Sequence, residues 1–364
     1  MIKVLHAADF HLDSPFDALP EEKAAERRRE QRAMLDKIAS LANREEVDVV
    51  LLAGDLLDSD KSYYETGEAL KRAFAAMKVP VFIAPGNHDY YHNHAPWAAL
   101  KLPEHVHIFK TNTPEGIELE GKNAVIWGAA FTANRSHGLL EDFPELQEDK
   151  LNLMVLHGQV GSVEEGYNPM LSRQIADTGL DYLALGHEHR YSGLQKAGDT
   201  YYAYAGCPEG RGFDELGVGG VIIAEVESGQ VKERFVPLGG RQYRKLEVNL
   251  ENQKDVEQAI LEALPLNTSR DIYRIILVGE FNDSIDEADL VKKLSRRFYH
   301  LTIQDQTRIC RDIWAQREED SLRGLFLRKM RARYEAGDEA EKEKVTWAIR
   351  YALEAMEKGE QWRM

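Results

Sequence analysis

The chain has 364 residues, with 46 Lys and Arg against 62 Asp and Glu for a formal charge of −16, and 43% of its residues are hydrophobic. That composition excludes disordered and collagen-like chains, and no run approaches the ~18 apolar residues of a membrane span. The acidity excludes an all-round positive coat but not a local phosphate-binding surface. Cys207 and Cys310 lie far apart and outside any CxxC, which argues against a disulfide framework or a thiolate zinc site. With no basic-then-apolar leader in MIKVLHAADFHLDS, a soluble cytoplasmic protein without a membrane partner is expected.

At about 150 residues per domain, the length suggests two domains or two with an appendage. From the start to about residue 240, strand-length apolar runs recur, several of them continuous, as strands buried on both faces read: KVLHAADF, VDVVLLAGD, VPVFIAPGN, NAVIWGAAF, LNLMVLHG, DYLALGHEH, TYYAYAG and GVIIAEVE. Helical spacing separates the first three. Met34, Leu35, Ile38, Leu41 and Ala42 mark one helix and residues 64–77 a shorter one. An α/β class with a parallel or mixed sheet and flanking helices follows, its later half partly antiparallel. Pro237-Leu238-Gly239-Gly240 reads as a boundary at residue 240. Residues 241–305 then form a β-α-β-α-β unit, and 306–364 are helical only. In that tail, Leu322, Phe326, Met330 and Tyr334 form one stripe and Val345, Ile349, Leu353 and Met356 another, with Gly337 closing the first helix and Asp338 and Glu341 capping the second. Such stripes serve either a partner or the body of the protein itself.

Five apolar runs end in polar residues: Asp9-Phe10-His11, Gly54-Asp55-Leu56-Leu57-Asp58, Gly86-Asn87-His88-Asp89, His157-Gly158 and Gly186-His187-Glu188-His189. In α/β sheets the carboxyl ends of strands converge on the ligand crevice, so one rim would collect them. Residues two apart on extended chain share a side, so Asp9 can aim with His11 and His187 with His189. With Asp55, Asn87 and His157 they offer nitrogen and oxygen ligands without sulfur, a set suited to manganese, iron or zinc. Seven ligands exceed one ion's share. Two ions sharing a carboxylate is the economical arrangement.

The ordered motifs DxH, GDxxD, GNHD, a lone His after a strand and GHxH closely resemble the calcineurin-like metallophosphoesterases over roughly residues 1–190. The opening VLHAADFHLDSPF, the run Gly206-Cys207-Pro208-Glu209-Gly210-Arg211-Gly212-Phe213-Asp214-Glu215 and the extra domain resemble more narrowly the SbcD-type DNA repair exonucleases, in their shorter, YhaO-like bacterial branch. That resemblance implies a metallophosphoesterase β-sandwich flanked by helices, a small α+β capping domain and a C-terminal helical hairpin. It places one metal on Asp9, His11, Asp55 and His189 and a second on Asp55, Asn87, His157 and His187, with Asp55 bridging and manganese favoured over iron or zinc. It makes His88 the catalytic histidine and Asp58 the residue that orients it. In that scheme two ions about 3.5 to 4 Å apart activate water and neutralise the phosphoryl oxygens during in-line attack.

Each reading has a plainer rival. His6, inside an apolar strand, reads as a hydrogen-bonded core histidine. His92 and His94 sit in a loop at the site mouth, for substrate or simply for solvent. Arg211, on a Gly-rich loop, reads as a phosphate clamp or a salt bridge. The basic run Arg323, Arg328, Lys329, Arg331 and Arg333 faces DNA, an acidic partner or only solvent. The resemblance implies a DNA exonuclease with single-strand endonuclease activity, working with an SbcC-like coiled-coil ABC ATPase gripped by the C-terminal helices. It also implies a homodimer through helices at 64–77 and 96–100, a transfer no motif carries. The alternatives are a phosphodiesterase of a small nucleotide or other ester, which the charge favours, and a non-catalytic scaffold, which the complete ligand set disfavours.

Overall fold

Strand β1 (Ile2–Ala7) turns Leu5 and Ala7 to one side and Ile2 and Val4 to the other, all of them buried. This two-residue alternation recurs in β2 (Val49–Leu52) and explains their continuous apolar runs: both faces are covered. The computed structural model describes every residue except 60, 142, 147–148, 162–166, 310–313, 315–316 and 362–364, and no side chain at 354 or 357–361; Cys310 lies outside the described residues. Two compact units result, Met1–Gln242 and Tyr243–Met364, and the helices expected over 306–364 fall in the second.

In the first unit, helices α1 (Glu21–Arg44), α2 (Tyr64–Ala76) and α3 (Pro96–Ala99) alternate with β1, β2, β3 (Val81–Ile83) and β4 (Val106–Ile108). There follow β5 (Glu115–Glu118), β6 (Ala124–Gly128), β7 (Leu151–His157), β8 (Gln159–Val160), β9 (Pro169–Met170), α4 (Ser172–Thr178), β10 (Tyr182–Gly186), β11 (Gln195–Ala197), β12 (Thr200–Tyr204), β13 (Gly220–Glu227) and β14 (Gln230–Pro237). They build two six-stranded sheets, ordered β14-β13-β1-β2-β3-β4 and β11-β12-β10-β7-β6-β5, and a separate parallel pair, β8-β9. The fold is α/β with mixed sheets, consistent with the expected sandwich. Strands β1 to β4 are mutually parallel, as are β6, β7, β10 and β12. The later half is partly antiparallel, as expected: among the described residues β5 pairs antiparallel with β6, β11 with β12, and the β13–β14 hairpin with β1.

Val4, Leu51, Ile126, Val155 and Ala184 share one core between the sheets. Met34, Leu35, Ile38, Leu41 and Ala42 of α1 pack on the outer face of the first sheet, as their spacing predicts. Toward the carboxyl ends of the strands the inner layer shrinks to Ala8, Ala53, Ala84, Ala130 and Ala205. The sheets close on each other there. A Cβ at Gly186 would stand 1.9 Å from the Ala53 carbonyl oxygen, so only glycine admits this approach.

The second unit is β15 (Tyr243–Asn249), α5 (Val256–Ala263), β16 (Ile272–Val278), α6 (Glu287–Leu294), β17 (His300–Asp305), α7 (Leu322–Ala336) and α8 (Glu339–Gln361), with the three strands parallel. Asp338 caps α8, accepting from the Glu341 N–H at 2.9 Å. The two tail stripes meet each other: Val345, Ile349 and Leu353 are buried with Leu327, and Phe326, Met330, Tyr334 and Met356 pack against them. Leu322 stays outside at 72% exposure. Buried Arg350 ties α8 to β17 through Asp305 and donates to the Phe281 carbonyl at 3.1 Å. No helix among the described residues is long and apolar enough to cross a membrane.

Gly186→Ala should lower folding stability by about 1–3 kcal/mol in urea titration through overpacking. Gly193→Ala, at φ +70° with nothing within 4 Å, should lose only the left-handed backbone cost of about 1–2 kcal/mol, with no clash added to it. Equal losses would show that sheet approach at Gly186 is not the constraint.

Candidate metal centre

The carboxyl ends of β1, β2, β3, β7 and β10 face one rim, and the backbone bends sharply as each ligand-bearing segment leaves its sheet. Asp9 (φ +53°), His11 (φ +44°), Asp55 (φ +51°) and His187 (φ +110°) all lie at positive φ. Non-glycine residues there cost about 1–3 kcal/mol each, a strain that must be held by the surroundings. The first two loops hold each other: Asp9 N–H donates to Gly54 O at 3.0 Å, His11 N–H to Asp55 O at 2.9 Å and Leu12 N–H to Leu56 O at 2.8 Å. Buried Asp89 braces the third, its carboxylate accepting from the N–H groups of Gly86 at 2.7 Å, Leu56 at 2.9 Å and Asp55 at 3.2 Å.

Asp9, His11 and His189 offer ligand atoms within 4.8 Å of one another, and so do Asp9, Asp55 and His157. The Nε2 atoms of His11 and His189 are 3.2 Å apart, the spacing of two ligands about 2.1 Å from one cation. Asp55 Oδ2 stands 3.7 Å from His11 Nε2 and 3.4 Å from His157 Nε2, so one oxygen faces both groups. Asn87 Oδ1 joins at 3.0 Å from His157 Nε2. His187 is placed differently: its ring lies edge-on to His157 with centroids 5.3 Å apart, its N–H donates to Asp9 Oδ1 at 3.0 Å, and its ring nitrogens stand outside these groups. Buried imidazole nitrogens converging on carboxylates, with no sulfur, fit divalent first-row ions.

Each clustered histidine is fixed from behind. Nδ1 of His157 donates to the Ala53 carbonyl at 2.9 Å, Nδ1 of His189 meets Glu215 Oε1 at 2.7 Å, and Nδ1 of His11 lies 3.2 Å from Asp58 Oδ1. All three therefore present Nε2 to the cluster. His88, exposed and edge-on to His11 at 4.7 Å, bonds through Nδ1 to the Asp58 carbonyl oxygen at 2.9 Å. Asp58 thus holds His88 by its main chain and His11 by its side chain. Arg211 spans both acids, with Nη1 on Asp58 at 3.0 Å and Nε on Glu215 at 3.1 Å. Behind it, buried Arg27 of α1 grips Glu209 and the Gly210 carbonyl, anchoring the loop.

Electrostatics follow burial and pairing. Burial raises Asp9 from 3.8 to about 6, although His157 and His189 oppose it. Burial also pushes Asp55 up, but His157, His11 and His88 outweigh it and hold this carboxyl below its usual value. Burial lowers His11 and His187 to about 4, keeping both lone pairs free at neutral pH. Burial favours the acid form of Glu215, yet His189 and Arg211 hold it well below the carboxylate range.

The core reading of His6 is met: its nitrogens bond the Tyr182 hydroxyl and the Leu185 carbonyl, both at 3.0 Å. His92 and His94 sit together in the loop after Asp89, the His94 N–H on His92 Nδ1 at 3.2 Å. Three residues at the site escape sequence reasoning. Asp89 ends the GNHD motif, and Glu215 stands four residues after Arg211, so each had a signal. Tyr167, stacked on His187 at 5.2 Å, had none.

Residues 2–191 match the family of calcineurin-like phosphoesterases. Among curated proteins, the chain is 32% identical over 246 residues to the uncharacterized metallophosphoesterase YhaO of Bacillus subtilis (strain 168). The alignment takes in 64% of this chain and 59% of that protein, so the chain spans about six tenths of its relative's length.

Because burial pushes Asp9 up to about 6, protons should compete with a cation as pH falls. Calorimetric Mn2+ affinity should be about tenfold weaker at pH 5 than at pH 7. Asp9→Asn should bind more weakly at pH 7 and keep the share of the dependence due to His189, which burial lowers but Glu215 and Asp9 raise; unchanged affinity at pH 7 would exclude Asp9 as a ligand.

Proposed function

The chain belongs to the calcineurin-like phosphoesterases, matched over residues 2–191, and from that premise we propose that it is a two-metal phosphodiesterase of DNA in the cytoplasm. The observation that carries the reading is Asp55 Oδ2, facing His11 and His157 at once, with His88 at the exposed edge of the cluster in a separate group with His11 and Asp58. Asp9, His11, Asp55 and His189 would hold one ion and Asp55, Asn87 and His157 the other, with His187 completing the second set. Such ions, when bound, supply Lewis acidity and charge neutralisation at phosphorus.

The chain's own groups would do the rest. His88 is held at Nδ1 by a carbonyl oxygen, which can only accept, so Nδ1 carries its hydrogen there and Nε2 is the nitrogen left to exchange a proton with substrate. It would protonate the leaving oxygen or stabilise charge on the phosphoryl group. Glu215 would keep His189 in one tautomer, and the partly exposed Asp58 carboxylate faces His11 Nδ1 at 3.2 Å.

DNA as substrate, with exonuclease and single-strand endonuclease action in end repair, rests on the SbcD-like opening, on the 206–215 run and on the additional unit. The SbcC-like ATPase would dock on the tail hairpin. Since Phe326 and Met330 face inward, the surface available to it carries Leu322, Leu325 and Tyr351, exposed at 72%, 46% and 61%.

Turnover with manganese should be compared on labelled duplex and single-stranded DNA and on bis(p-nitrophenyl) phosphate. His88→Ala should still bind metal and lose about 10²–10⁴-fold in rate, whereas Asp55→Ala should lose metal itself. Full activity in His88→Ala would remove it from the chemistry. Ester cleavage with DNA untouched, even with the ATPase added, would move the substrate to a small phosphodiester. Leu322→Asp with Leu325→Asp should abolish co-purification with such an ATPase; persistence of the complex would exclude this face.

A further inference from the structure

A cleft of 960 Å³ opens beside the metal centre, and His189 lines both. Its size is that of sites which enclose a nucleotide-sized ligand. One wall is aromatic: Tyr191 and Phe235 stack with centroids 4.7 Å apart and planes 23° from parallel. Tyr191 is held there by its hydroxyl, which donates to Glu233 at 2.5 Å. The charged groups of the cleft are Glu188, Asp214 and Glu215 against Arg190, in addition to the histidines. Glu215 is already held by Arg211 and His189, which leaves Glu188 and Asp214 against Arg190, an acidic excess that repels a run of phosphates. The same carboxylates accept well from sugar hydroxyls and base N–H groups, and aromatic rings stack on a base whatever its sequence.

We propose that this cleft receives the nucleoside attached to the scissile phosphate, with its base on the Tyr191–Phe235 wall and the phosphate toward His189. The assignment rests on the phosphodiesterase reading above and deepens it. It also carries a selection rule. A terminal nucleoside is uncharged on its far side and fits among the acids, whereas an internal one brings a second phosphate into them. Ends of a strand are therefore preferred over its interior.

The test is calorimetry on the manganese-loaded full chain with thymidine 5′-monophosphate, thymidine 3′-monophosphate and inorganic phosphate. The better of the two nucleotides should bind about tenfold or more tightly than phosphate, the scale of one base stacked on an aromatic ring. Phe235→Leu, which keeps the volume without the ring, should bring that ratio to within about threefold, and Phe235→Tyr should restore it. Equal binding of nucleotide and phosphate by the native chain would overturn the proposal, as would a full preference surviving in Phe235→Leu. Hydrolysis of bis(p-nitrophenyl) phosphate, measured in parallel, separates the two readings: nucleotide preference without any hydrolysis would sink the enzyme and leave the cleft standing.

Discussion

Burying a carboxylate away from water is among the costliest acts in a fold, and this protein does it three times within one loop cluster, at Asp9, Asp55 and Asp89, each no more than 1% exposed. Asp89 is answered by backbone N–H groups and Asp55 by histidines together with the His88 N–H at 2.9 Å. Asp9 accepts from the His187 backbone N–H and faces the imidazoles of His157 and His189, and burial raises both it and Asp89 to about 6. A divalent cation held by these groups would add positive charge among them. The positive φ values, the alanine layer and the glycine at 186 all follow from bringing those acids together without water.

Around that constraint the protein layers its controls. The rings that meet the acids are held from behind by a carbonyl, by Asp58 and by Glu215, and the last two are joined by Arg211. Arg27 then fixes the loop that carries Arg211 and Glu215 by gripping Glu209 from within α1. Side chains of α1 thus reach the centre through two intermediaries. Arg211, open in the sequence between a phosphate clamp and a salt bridge, places its guanidinium on the acids Asp58 and Glu215.

The second unit shows how a pattern can be right while its meaning changes. Both tail stripes exist where the spacing places them, but they lie against each other, because a helix pair joined by Gly337 and Asp338 can fold back and bury both. Arg350, on the same helix, reaches Asp305 at the end of β17, a contact between residues 45 apart that no helical period announces.

Much was legible in the chain itself. Strand and helix periods follow from local geometry, and the order of DxH, GDxxD, GNHD and GHxH relative to apolar runs marks the family because each motif sits at a strand end. Asp9, His11, Asp55, Asn87, His157 and His189 meet as that order implies, and His6 stays in the core because its apolar neighbours bury it. Tertiary structure alone decided which group holds which ring. Asp58 serves His11 by its carboxylate and His88 by its carbonyl, Glu215 sets His189, and Tyr191 meets Phe235 across 44 residues of sequence. Such pairings depend on how two sheets close rather than on any period, and a sequence records residue type and spacing but not the direction in which a loop returns.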